Sequence, residues 1–458
     1  MGENPPDKLR IAILAAGAAG MYCGSCIRDN ALAMALKAMG HDCVMIPLYS
    51  PVKTDTDNAA IGQVFYGGVN VFLQHASRIF RHTPRALDWA LDRPWLLTLA
   101  GSYGAQTSPS ELGGFILDIL RGESGHTIKE LRRLTRFLKT EVRPQVISVP
   151  NLMFIGAARM LKAELNAPVI LELTGEDIFL DAMAEPDRTQ ARDIIRRRAQ
   201  DVDQFVATSH YYADAMANYL QVPRDRIAVV YPGVPHEYLR DGQSIRNPQS
   251  PPRLSSSKSI RNPPTIAYLA RICPEKGLDQ LVDAMLLLQK KPGFENVRLR
   301  AAGYLGKANQ DWYQQLSNRI AGGPLANHYT FLGEVDKAGK LALMDDADLF
   351  AAPTRYAESK GIYVLEALAR ATPVVLPAHG AFPELVQITQ GGVTHPPGDA
   401  QALADTLANL LADPARRATL GQSGHTAVRN GFLDSHMAQG MLALYRDILD
   451  RRQNAPTS

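Results

Sequence analysis

Asp346–Pro377 reads DADLFAAPTRYAESKGIYVLEALARATPVVLP. Leu349–Ala352 is a short apolar run of strand type, GIYVLEALARA carries a helical pattern, and Val374–Leu376 is a second apolar run. Strand, loop, helix and strand in that order make a βαβ unit, the crossover that parallel strands require. The same alternation runs outward in both directions. Candidate strands are Arg10–Leu14, Cys43–Leu48, Val146–Val149, Val169–Leu173, Phe205–Thr208 and Ile227–Val230, then Ile266–Leu269 and Leu299–Ala302 ahead of the opening stretch. Between them lie segments such as Ala402–Asp413, where Leu403, Leu407, Leu410 and Leu411 share one helical face. The class is α/β, with parallel sheets covered by helices on both faces.

One segment interrupts the alternation. Residues 241–264, DGQSIRNPQSPPRLSSSKSIRNPP, are rich in Pro, Ser and Asn and carry SIRNP twice, at Ser244–Pro248 and Ser259–Pro263. Such a stretch buries little apolar surface and reads as a linker or exposed loop. The chain is therefore expected to hold one Rossmann-like domain over 1–240 and a second over 265–431, with a final helix, 434–453, packing back on the first. Ligands of open parallel sheets sit outside the carboxyl ends of the strands, so two such domains face to face would form a cleft.

The bulk numbers agree with a large globular protein: 458 residues, 46% hydrophobic and 21% charged. A net charge of +3 and a pI near 8.5 do not mark a nucleic-acid binder. Four cysteines (Cys23, Cys26, Cys43, Cys273) at this length make no disulfide framework, and a reducing cytosol is the default. Cys23-Gly-Ser-Cys26 reads as a redox pair, as half a zinc site, or as two thiols in a glycine-bearing loop. No second pair stands at zinc spacing. The start resembles a signal peptide, but its Ala/Gly-rich run leads into a first βα unit, and no apolar stretch reaches bilayer-spanning length. The expectation is a soluble, cytoplasmic protein. Two basic stretches with interleaved apolar residues, Arg78–Ala100 and Glu130–Pro144, fit ordinary solvated helix faces, peripheral contact with anionic lipid, or an acceptor lid.

Chemistry concentrates in the opening stretch. Glu358 stands in the loop at the carboxyl end of a strand, Gly361 and Ile362 open the helix, and Glu366 follows inside it. Free amides and the helix dipole at Gly361 favour an anion. A carboxylate accepts from two neighbouring hydroxyls at once, as a sugar or ribose diol offers. The plainer reading pairs Glu366 with Arg370 one turn on and leaves Glu358 an ordinary loop acid.

The order of features resolves that choice. Phe331–Val386 resembles the nucleotide-binding domain of the family-4 retaining glycosyltransferases, enzymes of the two-domain GT-B fold: glycine-containing turn, strand, E-x7-E helix, PVV strand and PELV loop. IAYLARICPEKGLDQLVDAM, Ile266–Met285, is similar to the family segment whose Arg and Lys hold the donor diphosphate, here Arg271 and Lys276. VVYPGV, Val229–Val234, resembles the end of the family's first domain, and Gly24–Ile46 resembles its glycine pair, helix and strand entry. Val64–Leu73 is similar to a hairpin of glycogen- and starch-synthase relatives.

The resemblance implies that Arg271 and Lys276 neutralise the leaving diphosphate, with oriented amides at Gly361 and Gly24. Glu366 would hold the ribose hydroxyls, Glu358 the sugar hydroxyls, and backbone around Gly303 and Val335 would line the base. It implies a nucleotide-diphosphate sugar as co-substrate, a hydroxyl acceptor, retention by front-face attack, and no metal. Two departures stand out. Lys360 replaces an aromatic, and either meets an anionic group on donor or acceptor or points to solvent. Thr174 stands where an acceptor-side histidine is usual, so Asn151, Glu176, Asp177 and His210 are the remaining acceptor-side candidates. The alternatives are a GT-B epimerase or phosphorylase, a non-catalytic sugar-binding relative, and a dinucleotide oxidoreductase. The last rests on AAGAAG, Ala15–Gly20, which lacks the first glycine of G-x-G-x-x-G and an acid after the second strand.

Overall fold

The computed structural model describes residues 8–17, 22–54, 56–66, 113–240 and 263–454. The duplicated SIRNP segment and the basic stretch 78–100 fall almost wholly or wholly outside them. The chain divides into two compact units, one comprising Met1–Tyr231 with Ser435–Ser458, the other Pro232–Asp434.

The first unit is built on six parallel strands: β1 (Arg10–Ala15), β2 (Asp42–Pro47), β3 (Val146–Val149), β4 (Val169–Leu173), β5 (Gln204–Ala207) and β6 (Ile227–Val229). They lie in the order β2-β1-β3-β4-β5-β6. β3 and β4 are buried at every position, as strands covered on both faces must be, which is why they read as unbroken apolar runs. The break in strand order falls between β1 and β3. There helix α1 (Gly24–Ala38) begins after β1, and Asn151 caps a short turn after β3, accepting from the Met153 amide at 3.1 Å.

The second unit repeats the plan with β7 (Thr265–Leu269), β8 (Arg298–Ala302), β9 (Tyr329–Phe331), β10 (Leu349–Ala351), β11 (Val374–Pro377) and β12 (Gly392–His395). Its order is β12-β11-β10-β7-β8-β9, the doubly wound arrangement in which the chain switches direction between β7 and β10. The edge strands β9 and β12 are additions to the sequence reading, which marked neither.

One face of the first sheet is closed by the C-terminal helix α8 (Asp434–Gln453). Met437, Met441, Tyr445 and Ile448, spaced four, four and three apart, form a stripe that packs on Ile11, Ile13, Leu32 and Met45. The chain thus leaves the second unit to complete the core of the first. A charged cluster lies in the same layer: Arg28 of α1 pairs with Asp29 at 2.7 Å and with Glu172 of β4, whose other oxygen accepts from Ser148 Oγ at 2.5 Å. All four residues are buried. Such a cluster holds its geometry because losing one partner strands a buried charge.

The stretch Glu130–Pro144 forms helix α2 (Ile128–Phe137) and a following π-turn, and its Leu131, Leu134 and Leu138 are buried in the core. Its apolar face is therefore occupied within the unit. Among the described residues no helix is long and apolar enough to cross a membrane.

Met441 is 2% exposed, so Met441→Ala should cost about 2–5 kcal/mol. Hydrogen exchange should show that loss across β1, β2 and α1 with unit-two amides unchanged. Equal deprotection of both units would mean that α8 is not specific to the first core.

Candidate active site

Two loops meet at the switch point of the second sheet. The loop after β7 holds Arg271 to Lys276 and ends at Gly277, which opens α4 (Leu278–Leu288); the loop after β10 runs from Ala352 to Gly361, which opens α6 (Ile362–Ala369). Gly277 has φ +74°, and a Cβ there would lie 1.8 Å from the Pro353 carbonyl oxygen, so the loops touch where only glycine fits. Arg355 staples them: its amide donates to the Glu275 carbonyl at 2.9 Å, and its guanidinium binds Asp279 at 2.9 and 2.6 Å as well as the Pro274 carbonyl.

Glu358 is the centre of this arrangement. Its Oε2 accepts from Lys276 Nζ at 2.7 Å, Tyr363 OH at 2.9 Å and Tyr356 OH at 3.1 Å. Among the described residues Oε1 accepts from backbone alone, the Ser359 amide at 3.2 Å and the Lys360 amide at 3.5 Å. The Lys276 ammonium lies 4.8 Å from the Tyr356 ring centroid and 5.1 Å from that of Tyr363, so aromatic faces flank the ion pair. Burial alone would push the Glu358 carboxyl up; the Lys276 ammonium, with Lys360 and Tyr363, outweighs it and holds the pKa at about 2. Arg271 is exposed, and among the described residues no carboxylate lies within ion-pair distance of it.

Glu366, two turns along, is 6% exposed, and its Oε1 accepts from Lys340 Nζ at 2.8 Å, donated from α5 (Lys337–Asp345). It does not pair with Arg370, whose guanidinium grips Asp345 at 3.0 and 2.8 Å and the carbonyls of Tyr238 and Leu239. Gly303 ends β8, where a Cβ would strike the Ala270 carbonyl at 1.7 Å; Val335 is half-buried just before α5. Lys360 and Ile362 are half-buried beside Gly361.

His379 belongs to this site and was not singled out from the sequence. It lies in the turn between β11 and α7 (Phe382–Thr389), with Nε2 2.9 Å from the Thr354 carbonyl. Burial draws its pKa below the ordinary histidine value despite the Thr354 carbonyl and Glu358. Nε2 then carries the proton that Thr354 accepts, and Nδ1 presents a lone pair. The turn is pressed against the glutamate loop: the Ala381 amide donates to the Glu358 carbonyl at 2.8 Å.

In the first unit the structure brings Asn151, Thr174, Glu176 and Asp177 together at the carboxyl ends of β3 and β4. Glu176 accepts from the Leu152 amide at 3.0 Å, the Thr174 amide at 2.7 Å and Thr174 Oγ1 at 3.3 Å, so both its oxygens tie loops together. Burial nevertheless pushes its carboxyl up. Asp177 accepts from Tyr212 OH at 2.5 Å, and that hydroxyl accepts from the Gly175 amide at 3.0 Å; burial raises Asp177 also. His210, which opens α3 (His210–Leu220), is exposed and sits against Arg224 at 3.3 Å and Tyr231. Gly24 is exposed at the first turn of α1. Among the described residues no group of three or more His, Cys, Asp or Glu is placed to hold a metal ion.

Residues 253–426 match the family described as Glycosyl transferases group 1, and 108–238 match Glycosyltransferase Family 4. The fold is similar to that of sucrose-phosphate synthase from Thermosynechococcus elongatus, with TM-score 0.69 and 18% identity over 96% of this chain and 99% of that one. The chain is a GT-B protein related to these glycosyltransferases. In sequence it is 36% identical over 196 residues to the phosphatidyl-myo-inositol mannosyltransferase of Mycobacterium leprae, covering 42% of this chain and 48% of that one. It is 28% identical over 240 residues to the GDP-mannose-dependent alpha-(1-6)-phosphatidylinositol monomannoside mannosyltransferase of Mycobacterium tuberculosis, covering 51% of this chain and 59% of that one. The chain thus matches about half the length of these relatives. Within this GT-B protein the sites described above lie at the carboxyl ends of its two sheets.

Glu358 contributes stability that is present above its ordinary pKa of 4.5 and lost as pH falls through about 2. Acid titration of unfolding should therefore show a steep limb over that window, worth on the order of 3 kcal/mol. Glu358→Gln, which does not titrate, should flatten the limb; an unchanged slope would mean that this carboxyl is not held low.

Proposed function

We propose that the protein is a retaining hexosyltransferase that moves a sugar from a nucleotide-diphosphate donor to a hydroxyl acceptor, with fixed cations rather than a metal balancing the leaving diphosphate. The observation that carries this reading is the convergence at the β7/β10 switch point of exposed Arg271, anchored Lys276 and the amide end of α6. A diphosphate seated there meets two cations and oriented N–H groups, the arrangement that stabilises charge developing as the anomeric bond breaks.

The two glutamates take different parts. Glu358 uses Oε2 to aim Lys276 and the two tyrosine hydroxyls, leaving Oε1 for a donor-sugar hydroxyl. Glu366 takes the ribose hydroxyls through the oxygen not held by Lys340. Gly303 and Val335 line the base by backbone, and His379 Nδ1 is a further acceptor for a sugar hydroxyl. Lys360 stands beside the diphosphate. The retaining outcome follows from the family likeness. In the first unit Asp177, held by Tyr212, is the acceptor-side carboxylate, with Asn151, Thr174 and Glu176 shaping its loop. The relatives named for phosphatidylinositol mannosyl transfer make inositol-bearing and other polyol hydroxyls the first acceptors to try.

A thermal-shift panel with UDP, GDP, ADP and dTDP and their hexose conjugates tests the donor: a ligand at about a hundred times its Kd stabilises by roughly 2.7 kcal/mol. One base family should shift Tm. A shift with NAD or NADP alone would instead favour the dinucleotide reading. With a donor in hand, Arg271→Ala and Lys276→Ala should each lower kcat/KM by about 10²-fold or more with EDTA without effect on the wild type. Glu366→Ala should weaken nucleotide binding about tenfold or more, whereas Glu358→Ala should depress kcat more than donor affinity. Unchanged kinetics in all four variants would remove the assignment.

A further inference from the structure

The transfer reading uses only the Gly24 amide of the CGSC turn and neither of its thiols, and the geometry of the turn is specific. Cys23 is the N-cap of α1, with extended backbone (φ −115°, ψ 126°), and its carbonyl accepts from the Ile27 amide at 2.9 Å. Cys26 is the third residue of the helix and 1% exposed. An N-cap side chain leans over the third helical residue, which is how capping side chains reach its amide. Here that sets the Cys23 side chain on the same turn as Cys26, three positions on. Cα atoms three apart on a helix are about 5 Å from each other, inside the roughly 4.4–6.8 Å that a disulfide spans. The spacing of the turn is therefore one that a disulfide can bridge.

We propose that Cys23 and Cys26 form a redox-active dithiol, a site of reversible thiol–disulfide exchange at the opening of α1. The two thiols are unequal in the way such chemistry needs. Cys23 is partly exposed, and the first-turn amides of a 15-residue helix, which carries no acidic residue in that turn, favour negative charge on its sulfur. Cys26 is buried, and the neighbouring Cys23 together with burial pushes its thiol pKa up. Cys23 is therefore the attacking sulfur and Cys26 the resolving one. The other two cysteines are unsuited to the reaction: burial pushes the Cys43 thiol up to about 12, and Cys273 lies buried in the second unit.

The partner is a low-molecular-weight disulfide. The Cys23 thiolate attacks one of its sulfurs and expels a thiolate, leaving a mixed disulfide on Cys23. Cys26 then gives up its proton to solvent and attacks the Cys23 sulfur, and the second thiolate leaves. Two protein thiols are oxidised to one disulfide, and the small disulfide is reduced to two thiols. The change bears on the β1 loop, because the Gly17 backbone lies close enough to lower the Cys26 thiol pKa, and Gly17 itself, at φ +80°, is packed against Ser50.

The test is independent of the transfer reading. The full-length protein is equilibrated in glutathione buffers of graded oxidised-to-reduced ratio, acid-quenched, labelled with a maleimide mass tag under denaturing conditions and mapped by peptide mass spectrometry. The expected result is that Cys23 and Cys26 lose their tags together, recover them with dithiothreitol, and leave Cys43 and Cys273 tagged throughout. Cys26→Ser should accumulate a stable glutathione adduct on Cys23, and Cys23→Ser should accumulate none on Cys26. The proposal is overturned by both thiols staying tagged at the most oxidising ratio, by an adduct on Cys26 in Cys23→Ser, or by oxidation that does not distinguish the four cysteines. The wild-type mapping decides even where a serine variant folds poorly.

Discussion

The second unit's site depends on one ion pair. Lys276 comes from the loop after β7 and Glu358 from the loop after β10, and they meet at 2.7 Å between two tyrosine rings. Both charges have given up most of their water, so neither loop can move away without leaving a desolvated charge behind, a cost of several kcal/mol. The Arg355–Asp279 fork and the Gly277–Pro353 contact add rigidity, but the pair is what fixes a cation at a stated point on the sheet edge. A lysine on a free loop would lose that position to its own rotamer entropy.

The same accounting separates groups that hold the protein together from groups left for a ligand. Glu176 has both oxygens committed to loop amides, and Glu358 has one oxygen carrying three donors. Arg271, by contrast, is a cation at the same switch point without a carboxylate at ion-pair distance among the described residues. An active site differs from a structural ion-pair network in this respect: part of its hydrogen-bonding capacity stays unspent.

How much of this was legible beforehand follows from the range of each signal. Short apolar runs announce strands, so ten of the strands could be marked from the sequence; β9 (Tyr329–Phe331) and β12 (Gly392–His395), interrupted by threonine and flanked by polar residues and glycine, carry no such run. Arg271, Lys276, Glu358 and Glu366 could be named as candidates because the motifs that carry the family resemblance are local in the chain. Their partners could not. Lys340 reaches Glu366 from 26 positions upstream, and His379 reaches Thr354 from 25 positions downstream. Nothing in the intervening residues encodes those contacts, which exist only once β10 lies between β7 and β11. The suggested Glu366–Arg370 pair failed for a related reason: a local i,i+4 partner is worth a few tenths of a kcal/mol, and the long-range Lys340–Glu366 contact and Arg370–Asp345 fork outcompete it.

The first unit uses its own switch point differently. Between β1 and β3 it also offers a helix N-terminus, but the N-cap there is a sulfur and not a hydroxyl or a carboxylate. Helix amides that would bind an anion from solution instead face a side chain that can itself become one. Thiolate and disulfide differ by a full charge at that point, while serine or aspartate at the same position would present an invariant group. The oxidation state of Cys23 therefore sets the field at the opening of α1, and through the Gly17 backbone it bears on the loop that leaves β1. Placing a two-electron switch where a sheet changes direction puts the chemistry at a helix opening, where the first-turn amides have no partner within the helix.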